Sequence, residues 1–165
     1  MQKRKTKQTT ATILRNIRRN NPVTPEQWRA LGIKFQFLGA GVFREVHRIK
    51  GTNFVVKSPL HEGNFDYSEG IQHSKSEVAR IKRLAQIAVL RPYLPKILWY
   101  DAKHGQIVMP YYPPIPEAQK VQLMGKVIKN LVSKLAGVTM GDIHGDNIRQ
   151  KRKGWEVPIF VDLGY

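Results

Sequence analysis

The spacing of apolar positions changes several times along the chain, and each change marks an element. Between Thr9 and Arg19, Ile13, Leu14 and Ile17 fall on one side of a helical turn and arginines on the other, which predicts a short helix. Asn20-Asn21-Pro22 ends it. Thr24-Pro25-Glu26-Gln27 reads as a second start: Thr24 caps, Pro25 suits the first helical position, and Gln27 completes a capping box. This helix is expected to stop near Gly32. From Phe35 the pattern becomes strand-like, and residues 35–38, 42–49 and 53–57 predict three strands. A glycine turn at Gly39-Ala40-Gly41 and the turn Lys50-Gly51-Thr52 join them.

Residues 58–68 predict a loop and residues 69–89 a helix, with Val78, Ile81, Leu84, Ala85 and Ala88 on one face and Arg91-Pro92 at its end. Residues 96–100 and 106–109 predict a hairpin around Lys103-His104-Gly105, followed by a stiff proline-rich connector at 111–116. A second long helix is predicted over 117–136, where Val121, Met124, Ile128, Leu131 and Leu135 are spaced 3, 4, 3 and 4. After a loop at 137–147, a last hairpin pairs 148–150 with 155–161. Strands followed by helices, without βαβ alternation, predict an α+β fold.

Composition narrows the chemistry. The chain has 165 residues, enough for one sizeable core. It has no cysteine, which excludes disulfides, thiolate metal sites and thiol nucleophiles. Its five histidines form no HExxH pattern. No apolar run reaches the roughly 20 residues that span a bilayer, so no membrane partner is expected. The start lacks the apolar stretch of a secretory signal, and the cytoplasm is the expected compartment. The same basic, acid-poor start also fits an organelle transit peptide. Net charge is +16, and residues 1–29 hold eight Lys and Arg against the single acid Glu26. Such a balance favours polyanions, so RNA or DNA is a candidate partner of the basic tail. Residues 1–8 are expected to be disordered.

Five local features carry chemistry. Leu38 to Val46 form a strand, a glycine turn and a strand, and glycines let backbone N–H groups approach a phosphate. Lys57 ends the apolar strand Phe54-Val55-Val56 and needs an anion. Glu77 shares the helical face of Ile81 and Leu84, where a carboxylate must be paired, and Lys57 is the obvious partner. Gly141-Asp142-Ile143-His144-Gly145-Asp146-Asn147 places three polar acceptors in one loop: Asp142 suits proton abstraction and Asn147 a Mg²⁺ ligand. Asp162 ends the strand Ile159-Phe160-Val161 before Leu163-Gly164 and suits a metal ligand. Each feature alone also reads as an ordinary turn or strand end.

Taken in order, the five resemble the protein-kinase-like superfamily over residues 35–164. LGAGVFREV looks like the glycine-rich loop. Lys57 and Glu77 look like the strand lysine and its helix partner. GDIHGDN resembles the catalytic loop, in the GDxHxxN form of small-molecule and atypical kinases. DLG resembles the DFG motif. The resemblance implies an antiparallel N-lobe sheet with one αC-type helix, a minimal helical C-lobe, and ATP with Mg²⁺ as cofactors. It implies that Leu38, Gly39, Ala40, Gly41, Val46 and Val55 enclose the nucleotide and that Lys57, braced by Glu77, grips its phosphates. Met109 would be the gatekeeper, with the Pro110 carbonyl and the Tyr112 N–H facing adenine. Asp142 would be the base, and Asn147 and Asp162 the metal ligands.

On this reading residues 1–32 are a basic helical extension, 33–112 an N-lobe with hinge, and 113–165 a minimal C-lobe. The sequence departs from the pattern at Arg44, which replaces the third loop glycine and adds charge near the phosphates, and at Met140 and Gly141 in the catalytic loop. It ends one residue past the DLG glycine, so an apolar flank of the 117–136 helix would invite a protein partner or a second copy. The reading expected is a minimal phosphotransferase acting on a protein Ser/Thr hydroxyl, its own included, or on a small molecule. A nucleotide-binding or protein-interaction module of the pseudokinase type, and a nucleic-acid-associated atypical kinase, are the alternatives.

Overall fold

The computed structural model describes residues 9–60, 67–137, 147–152 and 157–162. The basic residues 1–8, the loop with Asp142, the hairpin tip around Lys153, and Leu163-Gly164 lie outside them. Helix α1 runs Thr10–Asn20, and the Thr9 hydroxyl accepts the N–H of Thr12 at its start. Helix α2, Pro25–Ala30, begins with the full capping box of Thr24 and Gln27. Strands β1 (Phe35–Ala40), β2 (Arg44–Ile49) and β3 (Phe54–Pro59) form a meander. Helix α3 covers Tyr67–Leu84. Strands β4 (Trp99–Asp101) and β5 (Gln106–Pro110) form a hairpin, and the five strands make one antiparallel sheet in the order β1-β2-β3-β5-β4. Helix α4 covers Ala118–Ala136, and β6 (Ile148–Gln150) pairs with β7 (Pro158–Phe160).

Strand alternation gives the large sheet two faces. Ile49, Val56 and Val108 point to one, where Ile13 and Ile17 of α1, Trp28 of α2 and Ile33 cover them. Trp28 meets Phe35 and Trp99 edge-on. The segment 10–30 therefore shares a core with the sheet, and α1 presents Arg15, Arg18 and Arg19 outward. Val55, Ile107 and Met109 point to the other face and pack on Val78 of α3. A second core joins the end of α3 to α4, β6 and β7 through Ile81, Leu84, Leu90, Val121, Ile128, Val132, Ile148 and Phe160.

Two helix expectations need correction. The helix predicted to reach residue 89 stops at Leu84, where Gln86 and Ile87 donate to Arg83 and Leu84 in tighter turns before a 3₁₀ segment at Ala88–Tyr93. Leu84 and Leu90 are both fully buried in the same core. On a straight α-helix residues six apart point about 120° away from each other, so the break brings both inside. Ala88, predicted inward, is exposed as a result. In α4 the buried seam runs Val121, Ile128, Val132, while Leu135, predicted inward, is exposed in the last turn, as are Leu123 and Val127 earlier in the helix. No helix among the described residues is long and apolar enough to cross a membrane.

The β4–β5 turn is fixed by a buried carboxylate. Asp101 accepts the N–H groups of Lys103 and His104, lies 2.6 Å from His104 Nδ1, and accepts Asn21 Nδ2 at 3.3 Å. Burial alone would raise its pKa, but these partners hold it below the ordinary carboxylate value. As pH falls the unfolded chain therefore protonates at this position first. Asp101 adds stability above about pH 4, and that stability is lost as pH falls through the folded pKa. Unfolding free energy measured in urea between about pH 6 and pH 3 is expected to fall less steeply in Asp101→Asn than in the parent.

Candidate active site

The site grows from the sheet register. Val46 pairs with Lys57, Lys57 with Ile107, and Val55 with Met109. Arg44 lies two residues before Val46, so it shares their face of the sheet. Helix α3 crosses that face. Gly70, His73 and Glu77 fall on one stripe of α3, three and four residues apart. A Cβ on Gly70 would lie 2.7 Å from both the Phe43 carbonyl and the Pro59 Cβ, so only glycine permits this approach. His73 stacks on Phe43 with centroids 4.2 Å apart. Burial first, then the charge of Arg44, lowers the His73 pKa.

Glu77, next on the stripe, is wholly buried. It accepts Lys57 Nζ at 2.9 Å and 3.2 Å and also accepts Arg44 Nη1. The second nitrogen of the same guanidinium, Nη2, donates to Asp162 Oδ1 at 2.8 Å, and Lys57 also donates to the Val161 carbonyl. Two cations and two carboxylates thus form a neutral cluster. Lys57 is 6% exposed and Arg44 8%, while the Asp162 side chain keeps 30%. Burial works against the charged form of Arg44, but Glu77 and Asp162 hold its pKa above the ordinary value.

Arg44, read as adding charge near the phosphates, is thus held by Glu77 and Asp162. Its side chain runs inward to α3 and the end of β7. The strand alternation carried this signal, because Arg44 is in phase with Val46 and Lys57. The loop motif, by contrast, is read by residue type rather than by facing.

The turn above the cluster is open. The N–H of Gly41 donates to the Arg44 carbonyl at 2.8 Å. A Cβ on Gly39 would meet nothing within 4 Å, and one on Gly41 would meet only the Arg44 carbonyl at 3.9 Å. Neither glycine is demanded by packing, and the space beside them is open. Leu38 and Ala40 are exposed and Val46 half-buried beside this space. Gly39→Ala is expected to stay within about 1 kcal/mol of the parent in unfolding free energy, measured in urea.

Met109 is buried on β5, and Tyr111 donates its N–H to the Asn53 carbonyl. The Tyr112 side chain turns inward, where its hydroxyl accepts the Lys96 N–H at 3.0 Å. A cavity of about 410 Å³ lined by Ile81, Leu94, Lys96, Pro110, Tyr112 and Ile159 lies beside this ring. It shares Pro110 and Tyr112 with the expected adenine site but includes none of Lys57, Glu77 and Asp162. The connector after Tyr112 ties the two parts together, since the N–H and side-chain amide of Gln150 donate to Pro113 and Pro114.

Asn147 precedes β6 and Asp162 follows β7 at the same end of the small sheet, where Val161 donates its N–H to the Asn147 carbonyl at 3.0 Å. A carboxylate and an amide flanking paired strands are oxygen donors of the kind a hard cation takes. No group of three or more His, Asp or Glu among the described residues could form an all-protein metal cage.

This architecture is a protein-kinase-like fold: a five-stranded antiparallel sheet with one crossing helix, a buried lysine–glutamate pair, and a small second sheet ending in an aspartate. Two solved structures support it. The chain is similar to a Rio2 kinase–ADP/Mg²⁺-phosphoaspartate complex from Chaetomium thermophilum, with 18% identity and a TM-score of 0.54, covering 80% of this chain and 47% of that one. It is also similar to PpkA-294 in its apo form, with 16% identity and a TM-score of 0.50, covering 78% and 57%. The chain thus spans about half the length of the structures it matches. No protein-family model and no curated protein matches it.

Proposed function

We propose that this protein is an ATP- and Mg²⁺-dependent phosphotransferase that moves the γ-phosphoryl group to a hydroxyl acceptor, either a protein Ser/Thr, its own included, or a small molecule. The observation that carries the reading is the convergence of Lys57, Glu77 and Asp162 in one cluster beneath an open glycine turn. The Rio2 complex with ADP and Mg²⁺ supports the choice of nucleotide and ion.

In this reading Lys57, oriented by Glu77, neutralises the nucleotide phosphates, and the small residues at Gly39–Gly41 let the phosphates approach the end of β1. Leu38, Ala40, Val46, Val55 and Met109 enclose the base, whose edge meets the Pro110 carbonyl and the Tyr112 N–H. Asn147 and Asp162 hold Mg²⁺, which supplies charge neutralisation of the phosphates. Asp142 takes the proton of the acceptor hydroxyl. The acceptor oxygen forms a bond to the γ-phosphorus as the bridging P–O bond to ADP breaks, and ADP leaves with that electron pair. Catalysis then rests on positioning and electrostatics, the main terms in phosphoryl transfer.

The purified protein with γ-labelled ATP and Mg²⁺ is expected to place label on protein or release it as phosphate. An Asp142→Ala protein is expected to be slower by about a hundredfold or more. Equal label in both would overturn the role of Asp142, and none in either would overturn the activity. One observation favours a second reading, a nucleotide-binding or interaction module without turnover: the Asp162 carboxylate is bonded to Arg44. Nucleotide binding with no label transfer would select that reading.

A further inference from the structure

We propose that Arg44 is a latch that holds Asp162 until a divalent cation takes the carboxylate from it, so that the ion's arrival is transmitted to the glycine turn. The inference rests on the reading above, in which Asp162 is a metal ligand. One guanidinium bridges two carboxylates on different elements, Glu77 of α3 and Asp162 after β7. With Lys57 also on Glu77, the cluster is neutral as it stands. Each anion therefore has a cation without any bound ion, and the desolvation that a lone buried carboxylate would suffer is avoided.

A divalent cation at Asp162 changes this balance. It adds two positive charges within a few ångströms of the guanidinium, in a setting too dry to screen them well. Arg44 and the ion then compete for Asp162. Glu77 does not need Arg44 for compensation, because Lys57 stays on it at 2.9 Å. The weaker hold is the one on Asp162, whose side chain is part-exposed, and that contact yields first.

Arg44 is also the residue whose carbonyl accepts the Gly41 N–H. The residue that would release Asp162 is therefore also the one that closes the turn. Opposite it, His73 stacked on Phe43 and Gly70 against the Phe43 carbonyl keep α3 seated on the start of β2. One residue thus touches the metal ligand and the helix carboxylate through its side chain and the turn through its backbone carbonyl.

The test needs no turnover. Mn²⁺ binding to the nucleotide-free protein, read from the paramagnetic resonance of unbound Mn²⁺, is expected to be about fivefold to tenfold tighter in Arg44→Met than in the parent. Equal or weaker binding in Arg44→Met would overturn the latch and leave the metal site standing. No Mn²⁺ binding to either protein, with or without ADP, would overturn the metal-site reading and the latch together. A second measurement uses the parent protein alone and is independent of how Arg44→Met folds. The Arg44 Nε–H resonance is expected to shift on titration with Mg²⁺. An Arg44 signal that stays in place while the Asp162 backbone amide moves would overturn the proposal.

Discussion

Glu77→Ala is expected to lose roughly 3–5 kcal/mol of stability, the largest effect of any single substitution in the cleft. The carboxylate is wholly buried and holds Lys57 and Arg44 at once. Its removal leaves two cations facing each other in a dry site, with Asp162 and the Val161 carbonyl as their remaining acceptors among the described residues. A domain of this size has only about 5–15 kcal/mol in hand, so urea unfolding should begin at markedly lower concentration. Glu77→Gln keeps the shape and removes the charge, and it should lie between Glu77→Ala and the parent. A Glu77→Ala protein within about 1 kcal/mol of the parent would show that the cluster does not hold α3 on the sheet.

Asp162→Asn is expected to behave in the opposite way. Its side chain is part-exposed, and an amide still accepts the Arg44 N–H. Stability should change by about 1 kcal/mol or less. Phosphoryl transfer should fall by about a hundredfold to a thousandfold, because a neutral oxygen is a poor ligand for a hard divalent ion. Label transfer from γ-labelled ATP at the parent rate would remove Asp162 from the site. The two substitutions thus separate what holds the cleft together from what acts in it.

The elements of the fold were legible where short-range chemistry decides them. The capping box at Thr24–Gln27, the alternation through β2 and β3, and the break at Asn20-Asn21-Pro22 each depend on neighbouring residues only. The end of α3 was not legible. The apolar spacing continues past Leu84, and the chain turns there because Leu90 has a place in a core built from α4 and the small sheet. The same holds for α4, where Leu135 keeps the helical period but lies in an exposed last turn.

The site was legible in part. A carboxylate on the buried stripe of a helix had to have a cation, and Lys57 was the candidate, which is the pairing present at 2.9 Å. Arg44 was read as a loop substitution near phosphates, because the glycine motif draws attention to what the turn offers a ligand. Its inward course depends on where Glu77 and Asp162 sit, and those two carboxylates are 85 residues apart in sequence. Strand alternation puts Arg44 on the face of Val46 and Lys57, but it does not name Glu77 and Asp162 as the partners there.

The most direct test of a nucleotide cleft gripped by Lys57 is equilibrium binding of a non-hydrolysable ATP analogue with Mg²⁺, comparing the parent with Lys57→Met. Arg44 remains on Glu77 in that variant, so the cleft keeps its buried partner. The parent is expected to bind and Lys57→Met to bind at least about tenfold more weakly, in line with loss of one charge-assisted phosphate contact. Equal affinity in the two proteins, or no binding to the parent, would contradict the account.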